Sequence, residues 1–286
     1  MAEYVTKIRT SDGDLPVDYN SLANLPELNT MFSNPNLLIN SDFRNPVNQR
    51  GETTRTTNDL EWTRAYFIDR WYAQHGLTVE LADGYIIAYA SDTTEEAYFC
   101  QTLEHVLSED NYTTTVNVKS VTGTVKIHGQ ELVTGINTIT AFVAEPSVEI
   151  KFMPGSSIEL YWVKLECGSI STPLVPRTYG EELQLCKRYY QAYTDNDQFI
   201  VLTQTYTSTT ATNGRFNLPV EMRIAPIVSV ISLEIKEINE GEVVTLTEFS
   251  GNSISNNVVE ITGTHSSKAV SQRYMYAKAK FDAEIY

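Results

Sequence analysis

The sequence predicts a mostly β protein. Its parts are an N-terminal attachment segment, an antiparallel jelly-roll sandwich, a short connecting helix and a second, smaller β-sandwich. Three observations lead there. Short runs from Thr78 to Val163, and again from Phe199 to Phe281, alternate apolar and polar residues with a period of two. Turn residues such as Asp83-Gly84, His128-Gly129, Pro154-Gly155 and Asn213-Gly214 separate the runs. One stretch alone, Tyr179 to Tyr190, has helical spacing, with apolar residues at 183, 186 and 190, acids early and bases late. The expected divisions are residues 1–35, 36–176, 177–190 and 191–286.

The leader, 1–35, alternates around Ser11-Asp12-Gly13-Asp14, which predicts two short strands. Leu22, Leu25 and Leu28 then recur every third residue up to Met31 and Phe32. A segment this short buries little of its own apolar surface, so it is expected to dock on sister copies or on a larger body. Asn36–Trp71 reads as two strand-like pieces joined by a long polar surface loop. Its Asp42, Arg50, Asp69 and Arg70 read as charges that pin that loop to the sandwich. The pair Thr78–Leu81 and Tyr85–Tyr89 reads as a hairpin across Asp83-Gly84. Strands come next at Ala97–Gln101, Thr114–Val118, Thr124–Ile127, Asn137–Val143, Val148–Phe152 and Ile158–Val163. Spacing this short, with no helix between, is that of a jelly roll. After the Pro173/Pro176 linker and the helix, strands resume at Phe199–Leu202, Arg215–Leu218, Ile227–Ile235, Glu242–Phe249, Val258–Ile261 and Tyr274–Phe281, with a further turn at Ser250-Gly251-Asn252. The Thr-rich run Thr205–Thr212 reads as a loop.

Composition excludes several functions. The 286 residues carry a formal charge of −15, with 42% apolar residues and 17 Tyr beside 10 Phe and 3 Trp. Aromatic and β-branched richness favours strands. Such acidity, with no Lys/Arg cluster, argues against nucleic acid as a partner. No apolar window is long enough for membrane insertion, and MAEYVTKIRT is not a signal peptide. The three cysteines, Cys100, Cys167 and Cys186, form no metal or disulfide pattern and read as buried free thiols. The four histidines, His75, His105, His128 and His265, stand apart, so no metal and no cofactor is expected. Gly155-Ser156-Ser157 is not a nucleophile elbow, and no carboxylate pair is singled out; no enzyme is expected. Sugar binding is harder to dismiss. Rings flanked by polar residues stack on sugar faces, or else close a core edge or a subunit contact. The candidates are Trp62, Tyr112 and Tyr206; Trp71 and Trp162 read as core.

Several motifs, taken in order, resemble phage and prophage fibre proteins. Asn36–Phe43 with Gln49-Arg50-Gly51 is followed by Phe67-Ile68-Asp69-Arg70-Trp71, then by Val163–Gly168 and Pro176-Arg177. In those fibres the pattern brackets a carbohydrate-binding-like jelly-roll module. Glu181-Glu182-Leu183 with Cys186–Tyr190, and Phe216–Val220 with Met222-Arg223 and Pro226, are similar to the segments downstream of that module in the same fibres. Lys7–Thr10 with Asp18-Tyr19-Asn20 is similar to the front of prophage fibres of Gram-positive hosts. Cys167 departs from the fullest pattern. The resemblance implies a homotrimeric virion appendage, with no ligand residues assigned; the free cysteines and the lack of a signal peptide lead to the expectation that it is made in the host cytoplasm. Its expected partners are other virion proteins through residues 1–35 and a host surface glycan. The alternative is a capsid decoration or adaptor protein that binds no receptor.

Overall fold

A computed structural model describes residues 7–10, 13–16, 33–58, 63–93, 95–104, 111–142, 147–194, 200–206, 211–237, 243–246, 248–264 and 273–284. The leader contributes a hairpin, β1 (Lys7–Thr10) with β2 (Gly13–Pro16), in register from Lys7 opposite Pro16 to Thr10 opposite Gly13. The leucine-spaced segment up to Phe32 lies outside the described residues.

The first sandwich uses twelve strands in two six-stranded antiparallel sheets. In chain order they are β3 (Thr54–Thr56), β4 (Ala65–Tyr66), β5 (Tyr72–Gln74), β6 (Leu77–Ala82), β7 (Tyr85–Ala90), β8 (Ala97–Thr102), β9 (Asn111–Thr122), β10 (Val125–Ile127), β11 (Gln130–Glu131), β12 (Gly135–Phe142), β13 (Ser147–Phe152) and β14 (Ser157–Cys167). One sheet runs β11-β10-β13-β8-β5-β4, the other β12-β9-β14-β7-β6-β3. The chain crosses from sheet to sheet between β8 and β9, and at most later steps, as a jelly roll winds. Alternation explains the core: Ile86, Ala88, Phe99, Val116, Ile150, Ile158 and Leu160 all point inward and are buried. Trp71 stacks on Phe99 at 4.9 Å and meets Phe43 edge-on at 5.2 Å.

The opening stretch differs from its sequence reading. Leu37–Ile39 is not a strand of either sheet, and Asn40–Gln49 is not a free surface loop. The chain runs beside β14, with Leu37 N donating to Leu165 O, Val163 N to Ser41 O and Phe43 N to Tyr161 O. Leu38, Phe43 and Val47 enter the core. The loop is tucked in because its apolar residues bury more surface there than polar neighbours lose.

Two side chains of β14 also lie elsewhere than expected. Register shifts flank Leu160, so the inward set changes from Ile158 and Leu160 to Val163 and Leu165. Trp162 is therefore only half-buried, not core. Cys167, at the end of β14, is exposed, whereas Cys100 and Cys186 are buried.

Helix α1 spans Tyr179–Lys187. A capping box, Thr178 with Glu181, starts it, and Cys186 is its buried residue. It stops short of the expected Tyr190 because that residue pairs with Asp282 and begins the next strand. The second domain contains β15 (Tyr190–Tyr193), β16 (Ile200–Tyr206), β17 (Ala211–Asn217), β18 (Ile227–Glu237), β19 (Val243–Thr245), β20 (Glu248–Ser253), β21 (Val258–Thr264) and β22 (Arg273–Asp282). One antiparallel sheet folds on itself at β16, whose first residues pair with β22 and whose last pair with β17. Leu202, Leu233, Val259, Ile261, Met275 and Phe281 fill the space between the halves.

Two expected turns are strand interior. Asn213-Gly214 lies within β17, opposite Gln204 and Thr205, and Ser250-Gly251-Asn252 lies within β20. Glycine serves close approach at the second site. A Cβ on Gly251 would collide with Val228 Cγ1 and lie 2.9 Å from Val230 Cγ2. Gly251→Ala should therefore destabilise the protein by about 1–3 kcal/mol, because β-branched valines yield poorly. Urea unfolding of Gly251→Ala beside Ser250→Ala checks this; equal midpoints for the two variants would contradict it.

Candidate functional site

The charged residues of the opening stretch meet at the seam between the two domains. Arg70 and Glu284 are both fully buried and form an ion pair, Nη1 to Oε2. Arg70 also donates to the Thr102 carbonyl, and its guanidinium lies 3.6 Å from the Tyr189 ring centroid. Arg50 donates to Glu284 Oε1 at 3.2 Å and stands 3.9 Å from Asp69 and 3.8 Å from Asp282. Its guanidinium stacks on Tyr190 at 3.8 Å. Burial lowers the affinity of Arg50 for its proton, and Glu284, Asp69 and Asp282 more than restore it. Thus Arg50 and Arg70 do not simply pin their own loop: they grip the end of β22. Asp69 does hold the loop, accepting from Gln49 Nε2 at 2.9 Å, while Asp42 pairs locally with Arg44 at 2.7 Å.

The helix is fixed to the same seam. Glu182 accepts from Asn40 N and pairs with Arg177 at 3.2 Å. Arg188 forms two bonds to Glu104, at 2.8 and 2.9 Å, and Tyr189 donates to the same carboxylate at 2.9 Å. Burial pushes the Cys186 thiol well above its ordinary range, so it is an inert packing group. With these partners the seam is a structural joint.

The three ring candidates do not converge. Tyr112 is buried, 4% exposed, at the start of β9, where it pairs with Ala141 and Cys167. It is not a platform, because β9 begins sooner than its polar flank suggests. Tyr206 ends β16 opposite Thr212, so both ends of the Thr-rich run, Thr205-Tyr206 and Ala211-Thr212, are strand rather than loop; the Tyr206 side chain, all of Trp62 and residues 207–210 lie outside the described residues.

A different surface has the chemistry sought. Residues of one parity along β3, β6 and β7 face away from the core. Register sets Thr56, Thr78 and Tyr89 in one row, Thr54, Glu80 and Ile87 in the next, and Ala82 with Tyr85 in a third. Tyr89 is 40% exposed, over an open groove of about 700 Å³ that Thr56, Asn58, Thr78, Ser91 and Thr93 help to line. Hydrogen bonds run across it. Thr56 and Thr78 hydroxyls meet at 3.0 Å, and Tyr89 donates to Glu80 at 2.9 Å. The bond to Glu80 holds the phenol above its ordinary range. Beyond lie Tyr85 and Tyr161, edge to face at 6.3 Å, and Lys119, which pairs with Glu159 at 3.0 Å and sits 3.3 Å from the Tyr85 centroid. Sequence reasoning found this hairpin but passed over its rings. The missed signal was that Tyr85 and Tyr89 share the parity opposite to Ile86 and Ala88.

No known family model and no curated protein matches the chain. Among solved structures it is similar to the CBM22-1-CBM22-2 tandem domain of Paenibacillus barcinonensis Xyn10C, at 11% identity and a TM-score of 0.30 over 88% of this chain and 97% of that one. It is also similar to discoidin II of Dictyostelium discoideum, at 12% identity and a TM-score of 0.21 over 70% and 82%. Superpositions this loose carry no argument about the site.

Asp69 yields a test of the seam. Burial, opposed by Arg50 and the Gln49 bonds, raises its pKa from 3.8 to about 7. The folded chain thus holds a proton that the unfolded chain has released. That stabilisation is fully present below the ordinary carboxylate range and is lost as pH rises to about 7. Asp69→Asn removes the titration. Its Tm relative to wild type should rise between about pH 5 and 7 and level off above. A Tm difference independent of pH would show that Asp69 titrates normally.

Proposed function

We propose that the chain is a phage fibre subunit, without enzymatic activity, that projects from the virion and adsorbs to a host cell-surface glycan. The observation that carries the binding reading is the exposed Tyr89 ring set among hydroxyls on an open sheet face. A pyranose offers an apolar face to such a ring and hydroxyls to its neighbours. The virion setting rests on the ordered motifs that resemble fibre proteins. Residues 1–35 attach the fibre, and three copies assemble, so that weak single sites bind together.

A second reading is a capsid decoration or adaptor protein with no receptor. Exposed apolar residues on and beside β18 favour it: Ile227 is 64% exposed, Ile231 48% and Ile224 47%. These residues suit contact with sister copies or other virion proteins.

Host cells or their isolated envelope polysaccharide, incubated with the full chain, separate the two. Saturable binding, weakened about tenfold by Tyr89→Ala, supports the fibre reading. Absence of binding to any host envelope would leave the decoration reading. Deleting residues 1–35 should abolish incorporation into virions while the remaining body keeps its thermal transition. Incorporation of the truncated chain would move the attachment segment elsewhere. Light scattering of the full chain should give the mass of three copies rather than one.

A further inference from the structure

We infer that the Tyr89 face selects uncharged glycan chains and rejects acidic ones such as polyuronates or polyol phosphates. This deepens the proposed function and rests on it. The inference comes from the balance of donors, acceptors and charge on that face.

The acceptors are abundant. Glu80 and Glu159 are carboxylates on the outward rows, and an ionised carboxylate only accepts. The Tyr89 proton is committed to Glu80, so toward a ligand the phenol oxygen also acts as an acceptor. The hydroxyls of Thr56 and Thr78 are bonded to each other, and those of Ser91 and Thr93 likewise, at 2.7 Å, so each pair has one proton rather than two left to donate. Acceptors therefore outnumber donors, and such a surface asks its ligand mainly for donors. Sugar hydroxyls supply them; phosphate diesters and carboxylates supply acceptors alone.

The charge points the same way. The cation beside these rows, Lys119, is held between Glu159 and the Tyr85 ring. Arg55 of β3 has the parity opposite to Thr54 and Thr56 and stands 3.8 Å from Glu52. Lys119 is offset by its own carboxylate and Arg55 does not share the parity of the face, and the whole chain carries −15. A polyanion would bring like charge against Glu80 and Glu159 with no counterion to release. An uncharged chain meets no such penalty. It gains ring contact from Tyr89 and can run on toward Tyr85 and Tyr161 across neighbouring strands.

Calorimetric titration of the full chain tests this with five probes: cello-oligosaccharides, chitin oligosaccharides, mannan oligosaccharides and, as polyanions, polygalacturonate and poly(glycerol phosphate). The expected result is saturable binding to at least one uncharged probe. That affinity should stay within about twofold between low and high salt, since no ion pair is made. Tyr89→Ala should weaken it about tenfold, and Glu80→Ala should weaken it while leaving the melting temperature near that of wild type. Binding to the polyanions alone, falling steeply with salt, would overturn the inference yet leave glycan adsorption standing. Binding to an uncharged probe unaffected by both variants would overturn the assignment to this face. If no probe and no host envelope polysaccharide binds, the parent reading fails and the inference with it.

Discussion

The structure turns on the buried ion pair between Arg70 and Glu284, which lie 214 residues apart in sequence. Both side chains are shut away from water. Charges so placed are tolerated only when paired and hydrogen-bonded, and removing one partner costs about 3–5 kcal/mol. Arg70 belongs to the turn after β4, and Glu284 follows β22. Their pairing therefore obliges the end of the chain to return to the first sandwich. The backbone reinforces the return, with Ala283 N donating to Tyr189 O at 2.7 Å. Arg50 extends the pair to Asp69 and Asp282, giving two guanidiniums to three carboxylates. The formal excess of one negative charge is relieved when Asp69 holds its proton.

The motifs that bracket the first domain are accounted for by this architecture. Asn36 accepts from Leu38 N and Leu165 N and donates to Val163 O, so it stitches the opening stretch to β14. Asn40, at a positive φ of 57°, bonds Val47 through both its amide atoms. Lys164 and Glu166 form a buried pair at 3.0 Å that binds Thr172, closing the linker over the sheet. Arg177 caps the Leu38 and Asn36 carbonyls. A buried polar group needs its partners in place, which is why such residues come as sets. They shape a joint, and the exposed Tyr89 lies outside these motifs.

Much of the fold was legible because strands reveal themselves locally. The β6–β7 hairpin follows from period two and Asp83-Gly84 alone, and Gly84 takes the positive φ of 81° that such a turn demands. Misreadings arose where distant neighbours decide. Gly251 looks like a turn residue but is small because β18 passes over it. Trp162 left the core through a register shift that no local pattern announces. Arg50 and Arg70 read as loop charges because Glu284 lies at the other end of the chain. The candidate site suffered from a different bias. Rings in polar surroundings drew notice, and Tyr112 proved buried, whereas the exposed Tyr89 sits in an apolar-looking strand. Parity, rather than neighbouring polarity, is what predicts exposure in a sheet.

The seam holds the sandwiches together, and the β3–β6–β7 face of the first sandwich, with Tyr89 exposed, lies apart from it. The claim at the centre is that the Arg70–Glu284 pair makes the two sandwiches unfold as one. Calorimetry of Glu284→Ala beside wild type tests it most directly. Wild type should show one transition and the variant two separate transitions beginning at lower temperature. A single transition in Glu284→Ala at the wild-type temperature would contradict it.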